Sequence, residues 1–201
     1  MPLVSNKKIG PSAVLLLWLI EEDEERLRTL VNEDDREAAD RFSAPRRRKE
    51  HLAWRAALRT VLPDVKIEYS DAGAPMVPEA ETPLYIGVAH TSGLAAVVVS
   101  GAPCAVDAER EGRDFSRTAP RFISPEEQSL DDAGRADFPA AVWCAKEAMY
   151  KYSGRRELDF LRDLTISGSD VADGKMEGRI LGEPVRLDVE RSGEYLIIYI
   201  I

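Results

Sequence analysis

The chain has 201 residues, 44% hydrophobic and 31% charged, enough apolar side chain to bury a core without disulfide or metal staples. Lys and Arg number 27 against 36 Asp and Glu, a formal charge of −9 that repels phosphate backbones and excludes general nucleic-acid binding. The two cysteines, Cys104 and Cys144, belong to no CxxC or Cys/His cluster, which disfavours a zinc site or a disulfide framework and fits a reducing, cytoplasmic setting.

The first apolar run, Ala13 to Ile20, ends in Glu21-Glu22-Asp23-Glu24-Glu25. It is too short to span a bilayer and has no small-residue cleavage site, so a buried strand is expected and no membrane association. Charge then changes sign along the chain. Residues 21 to 35 carry eight acids and two arginines, whereas residues 36 to 59 carry eight bases against three acids, a net +5 inside an acidic protein. Such a run reads either as a solvated helix face or as a local anion site suited to phosphate. Ser43 is the expected N-cap of a helix with Pro45 in its first turn, Leu52, Ala56, Leu58 and Leu62 along it, and Pro63 stopping it.

Asp71 to Pro75 reads as a turn, and Leu84 to Ala89 as a strand. His90-Thr91-Ser92-Gly93 connects tightly into a second strand, Leu94 to Val99. Cys104 to Glu109 alternates with period two, so Asp107 and Glu109 leave one strand face at i and i+2. Two hard oxygen donors so spaced can share a divalent cation, or form an exposed face on which Glu109 pairs with Arg110 or Arg113. Ser124-Pro125-Glu126-Glu127 reads as a helix start with a capping box, its acids favoured by the helix dipole. Phe138 to Tyr152 is the strongest helix, with Trp143, Glu147 and Lys151 on one face, Lys146 and Tyr150 on the next, and Cys144 turned toward a core. The stripe reads as a surface Glu-to-Lys pair or, with Trp143 on it, as a partly buried site. Segments around Leu164, Lys175 to Leu181, Val185 to Val189 and Tyr195 to Ile201 close the chain as strands, and no repeat is visible.

Three elements taken together, Val106-Asp107-Ala108-Glu109, Arg121-Phe122 through Glu127, and Trp143-Cys144-Ala145-Lys146-Glu147 through Lys151, resemble the phosphopantetheinyl transferase superfamily. Their counterparts there are a G-[IV]-D-x-E strand, an R-F-x-x-x-E element and a W-x-x-K-E-x-x-x-K helix. The run Val88 to Gly93 is similar to that family's S-H-[ST] loop, and Arg46 to Arg59 to its basic helix. The resemblance implies an α/β fold of two similar halves, residues 1–101 and 102–201, related by a pseudo-twofold as in the larger surfactin type, and acting as a monomer. It implies magnesium held by Asp107, Glu109 and Glu147 on the pyrophosphate of coenzyme A. It further implies His90 and Lys151 on those phosphates, and Arg55 with Arg47 or Arg48 on the ribose phosphate. The reaction implied is attack by a serine of an apo acyl or peptidyl carrier protein, with Glu147 as metal ligand, as base directly or through a metal-bound water, or as both, and Lys146 and Lys151 balancing charge.

Ala74, Ala89 and Ala105 stand where that family carries lysine, serine and glycine. The first two motivate an alternative, a non-catalytic relative that binds coenzyme A or a carrier protein without transfer. A third reading is a magnesium-dependent pyrophosphohydrolase. Arg117, Arg121, Arg155 and Arg156 are candidates by charge for meeting an acidic carrier helix.

Overall fold

The computed structural model describes residues 3–78 and 83–201. Two antiparallel sheets carry the fold. The first contains β1 (Leu3–Gly10), β2 (Ala13–Leu19), β3 (Glu68–Tyr69), β4 (Pro75–Val77), β5 (Leu84–Thr91) and β6 (Leu94–Ser100), in the order β1-β2-β6-β5-β4-β3. The second contains β7 (Ala105–Arg110), β8 (Leu164–Asp170), β9 (Lys175–Ile180), β10 (Glu183–Ser192) and β11 (Tyr195–Ile200), in the order β7-β11-β10-β9-β8. With β1 set aside the two orders are the same. In each sheet the first strand pairs with the last, a long helix follows the first strand, and the rest meander. The long helices are α3 (Pro45–Arg59) and α4 (Phe138–Ser153), and two short ones, α1 (Glu24–Arg28) and α2 (Glu33–Asp40), precede α3. This is the mixed α/β, two-sheet fold expected from the sequence.

Strand β2 explains its own unbroken apolar run, because both of its faces are buried. Leu16 and Trp18 pack under α3, while Leu15 and Leu17 join the seam where the sheets face each other. Across that seam Ala89, Leu94 and Val98 meet Val106, Ala108, Tyr195 and Ile197. At Gly87 the strands approach so closely that a Cβ would lie 3.1 Å from the Ala105 backbone, so a side chain there would push β5 and β7 apart by a few tenths of an ångström. Ala89 is 2% exposed in this apolar seam, where a serine hydroxyl would need a partner.

Several boundaries differ from expectation for local reasons. Helix α3 starts at Pro45 from Ala44, whose extended backbone offers no side-chain cap, so Ser43 plays no capping part. His90 and Thr91 belong to β5, and the hairpin turn is Ser92-Gly93 alone, with Gly93 at φ +88°. Tyr195 Oη donates to the Ser92 carbonyl at 2.9 Å and clamps the turn from the other sheet. Ser124 and Glu127 do form the reciprocal capping box, Ser124 N to Glu127 Oε2 at 2.8 Å and Glu127 N to Ser124 Oγ at 3.2 Å. The capped segment is a short 3₁₀ turn, Glu127–Ser129, and not an α-helix. Helix α4 ends at Gly154 in the left-handed region, φ +61°. Among the described residues no helix is long and apolar enough to cross a membrane.

Candidate active site

The close crossing of β5 and β7 opens, on one side, into a cavity of about 850 Å³. Ligand pockets of coenzyme size fall in this range. Strand β7 brings Asp107, α4 brings Lys151, β5 brings His90 and α3 brings Arg47, so both sheets contribute to one wall.

Lys151 sits on the seam itself. Its Nζ donates to Asp107 Oδ1 at 2.8 Å, to the Val106 carbonyl at 3.0 Å and to the Val88 carbonyl at 3.3 Å. The ammonium therefore ties α4 to β5 and β7 at once. Burial pushes the Asp107 carboxyl up, and the Lys151 charge holds it down. Cys144, fully buried in the α4 core, also lies in hydrogen-bond contact with Asp107, and burial followed by the Asp107 and Glu109 charges drives its thiol far up. It belongs to the core, as its sequence position indicated, and touches the site as well.

Glu109 leaves the same face of β7. It accepts from Thr91 Oγ1 at 2.9 Å and from the Arg110 backbone N–H at 3.0 Å, and pairs with Arg113. Thr91 thereby joins the site from the opposite sheet. Glu147 faces Asp107 from α4. Its carboxyl is pushed up by burial first and by Asp107 second, against Lys151 and Arg113. The three carboxylates thus share one electrostatic neighbourhood. Among the described residues no group of three or more His, Cys, Asp or Glu side chains is drawn close enough to grip a metal. Lys151 and Arg113 hold the charge of the two strand carboxylates instead. Hard, all-oxygen donors on a strand and the facing helix are the right chemistry for magnesium, and the fit lies in donor type.

His90 receives Arg47 Nη1 at Nε2 (3.2 Å) and directs Nδ1 to Glu50 Oε2 at 3.4 Å. Burial pushes its pKa down, opposed by Glu50. At the cavity rim stand Arg155 and Arg156, and their guanidiniums have no partner among the described residues. They lie just past Gly154, where an added Cβ would sit 3.7 Å from the Ala72 Cβ, beside the Ala72-Gly73-Ala74 turn.

Three of the candidate residues lie elsewhere. Arg48 donates from Nε to both oxygens of Glu24 at 3.0 Å and from Nη1 to the Phe42 and Ser43 carbonyls. Arg55 is 4% exposed, bonded to Asp35 and to Tyr69 Oη at 2.8 Å each, with its guanidinium 4.2 Å from the centre of the Trp54 ring. Lys146 is fully buried on Glu127 (2.7 Å) and on the Phe122 and Phe160 carbonyls (2.6 and 2.7 Å), which leaves it no proton to offer a ligand. Burial lowers its pKa, and Glu127 opposes the shift. In each case the charge is spent on holding the helix to its preceding segment. Trp143 packs on Phe115, Phe122 and Phe160 at 6.1, 5.1 and 5.7 Å between ring centres, so it anchors the stripe that carries Glu147 and Lys151.

The cavity also holds residues that the sequence did not single out for it. Phe42, His51, Trp54 and Tyr69 also line it. The available signal was weak, since rings such as Trp54 on an amphipathic helix are usually core, and Phe42 before α3 and Tyr69 on β3 stand in no recognisable pattern.

Residues 103–200, the stretch that carries Asp107, Glu109, Glu147 and Lys151, match the family model of the 4'-phosphopantetheinyl transferase superfamily (ACPS). Over that stretch the chain belongs to the superfamily, whose members move phosphopantetheine from coenzyme A to carrier proteins. No curated protein matches it.

Proposed function

We propose that the protein transfers phosphopantetheine from coenzyme A to a serine of an apo acyl or peptidyl carrier protein, with magnesium, leaving adenosine 3',5'-bisphosphate. The observation that carries this reading is the convergence of Asp107 and Lys151 with His90 and Arg47 on one cavity of about 850 Å³. A ligand with a pyrophosphate and a ribose phosphate needs cations on one side and, for its metal, carboxylates on the other.

Asp107, Glu109 and Glu147 would hold magnesium, which supplies charge neutralisation to the pyrophosphate. His90, Lys151 and Arg47 face the phosphates, and Arg155 and Arg156, without a side-chain partner among the described residues, supply further charge beside Ala74. The serine oxygen forms a bond to the β-phosphorus as the pyrophosphate P–O bond breaks. The seryl proton passes to Glu147, the carboxylate that faces Asp107 from α4. Positioning supplies the rest of the acceleration. Arg48, Arg55 and Lys146 take no direct part in this scheme.

The division into halves at residues 1–101 and 102–201, the monomeric surfactin-type organisation and a cytoplasmic setting belong to the same reading. The matched strand orders and the free thiols of Cys104 and Cys144 support it. A second reading, a relative that binds coenzyme A or a carrier protein without transfer, is favoured by one observation. Lys151 and Arg113 already occupy the strand carboxylates.

Intact mass of a panel of apo carrier proteins, incubated with the protein and coenzyme A with magnesium or with a chelator, separates the two. A phosphopantetheine mass gain that vanishes with the chelator supports transfer. Coenzyme A binding by calorimetry with no gain on any carrier supports the non-catalytic relative.

A further inference from the structure

Resting on the reading that the cavity takes coenzyme A, we propose that Glu50 is a positioning residue for that reaction: its buried carboxylate on α3 holds the His90 ring so that Nε2 faces the phosphates, and supports the proton that this nitrogen carries to meet them. Glu50 is only 5% exposed and is not part of the cavity wall, so it acts through His90, which is. His90 Nδ1 faces Glu50 Oε2 at 3.4 Å, while Arg47 Nη1 donates to His90 Nε2 at 3.2 Å. A ring nitrogen that accepts from a guanidinium carries the lone pair, so in the free protein the proton sits on Nδ1, toward Glu50. Pairing of His90 with Ala95 across the β5–β6 hairpin fixes the backbone, and Glu50 fixes the ring.

The partners of Glu50 separate it from the other buried acids that bind α3 and α4. Asp35 and Glu127 meet cations that are buried with them, and so pin helices. Glu50 meets Arg46 at 2.7 Å and Arg47 at 3.6 Å, whose side chains are 73% and 58% exposed, and the half-buried His90. Ion pairs with partners that stay in water stabilise little. Two of the three partners, Arg47 and His90, stand on the cavity wall. There the lone pair of Nε2 repels a phosphate oxygen, whereas a proton on Nε2 makes it a charged donor and frees Arg47 to donate to the same anion. A carboxylate a few ångströms away favours the charged ring. The groups facing His90 are Glu50, Arg47 and His51 from α3, Asp107 from β7 and Lys151 from α4. Burial pushes its pKa down, Glu50 opposes this most, and Arg47 and Lys151 add to the fall, so the free ring is neutral at pH 7 and gains its proton as the phosphates arrive.

The test uses the whole protein and coenzyme A. Imidazole nitrogen NMR of the wild type near neutral pH should show His90 protonated at Nδ1 alone when free and at both nitrogens with coenzyme A. Glu50→Gln keeps the shape and an acceptor but removes the charge. In calorimetry it should weaken coenzyme A about tenfold near neutral pH, the value of one charge-assisted hydrogen bond. The loss should shrink as the pH is lowered and the ring takes its proton unaided. His90→Gln should cost about as much, and the double variant no more than either alone. Losses that multiply in the double variant, or a Glu50→Gln loss equal at every pH, overturn the proposal. So does a free wild-type His90 protonated at Nε2, a result that needs no variant to fold. If coenzyme A binds the wild type and leaves both His90 nitrogens unchanged, the proposal falls and the coenzyme A reading stands. If coenzyme A does not bind the wild type, both fall.

Discussion

The two sheets share a strand order and a helix position, and they spend them differently. In the first, β2 is apolar on both faces and α3 turns its inner charges, Arg55 and Arg59, onto the fully buried Asp35 of α2. In the second, the equivalent strand β7 carries Asp107 and Glu109, and α4 turns Lys146 onto the buried Glu127 while Glu147 and Lys151 stay near the cavity. Each long helix is therefore pinned to the segment before it by a buried ion pair. Only the second sheet adds carboxylates on the face that its helix covers. A shared frame thus leaves the first half to supply aromatics with Arg47 and His90, and the second to supply the acids with Lys151, Arg155 and Arg156.

Breaking the two pins should give the largest effects. Asp35→Ala strands two buried guanidiniums, and denaturant unfolding should show a loss of about 3–5 kcal/mol. Lys146→Met strands one carboxylate that keeps backbone donors at Ser124 and Ile166, so the loss should sit near the low end, about 3 kcal/mol. Transfer per folded molecule, measured at matched folded fraction, should then hold within about threefold, as for any group that supplies none of the ~10²–10⁴ of acid–base catalysis. A collapse of transfer with stability intact would return Lys146 to the chemistry. Glu147→Gln should behave in the opposite way, with transfer falling at least about 10²-fold and the unfolding midpoint nearly unmoved.

The smallest effect concerns the acid limb. Folded His51 refuses a proton that the unfolded chain binds below its ordinary value of 6.5, and takes it only near 4. Its contribution is complete above pH 6.5 and is lost as the pH falls toward 4, about 1–3 kcal/mol in all. His51→Gln should flatten that decline in a stability-against-pH series. An unchanged slope would show that another group sets it.

Local periodicity made β7 and α4 readable, because a two-residue alternation and an i, i+4 stripe fix which side chains share a face before any packing is known. The same arithmetic could not say which charges are buried. Arg55 and Lys146 lie on the helices that carry Arg47 and Glu147, and only the positions of Asp35 and Glu127 decide that they turn inward. Helix α2, capped where Asn32 accepts from the Asp35 amide at 3.0 Å, was not among the expected elements, and the turn of the Asp35 side chain toward α3 has no local signal. The burial of His51 was equally opaque, since it depends on Phe42 and Trp54 closing around it. The matching strand orders are likewise a fact of pairing, not of residue identity.

The proposed transfer site joins Asp107, Glu109 and Glu147 to His90 and Arg47 across the cavity. Its most direct test is intact mass of an apo carrier protein after incubation with coenzyme A, magnesium and equal folded amounts of the wild type or Glu147→Ala. Conversion by the wild type with almost none by the variant is the expected result. Equal conversion by both would contradict the site.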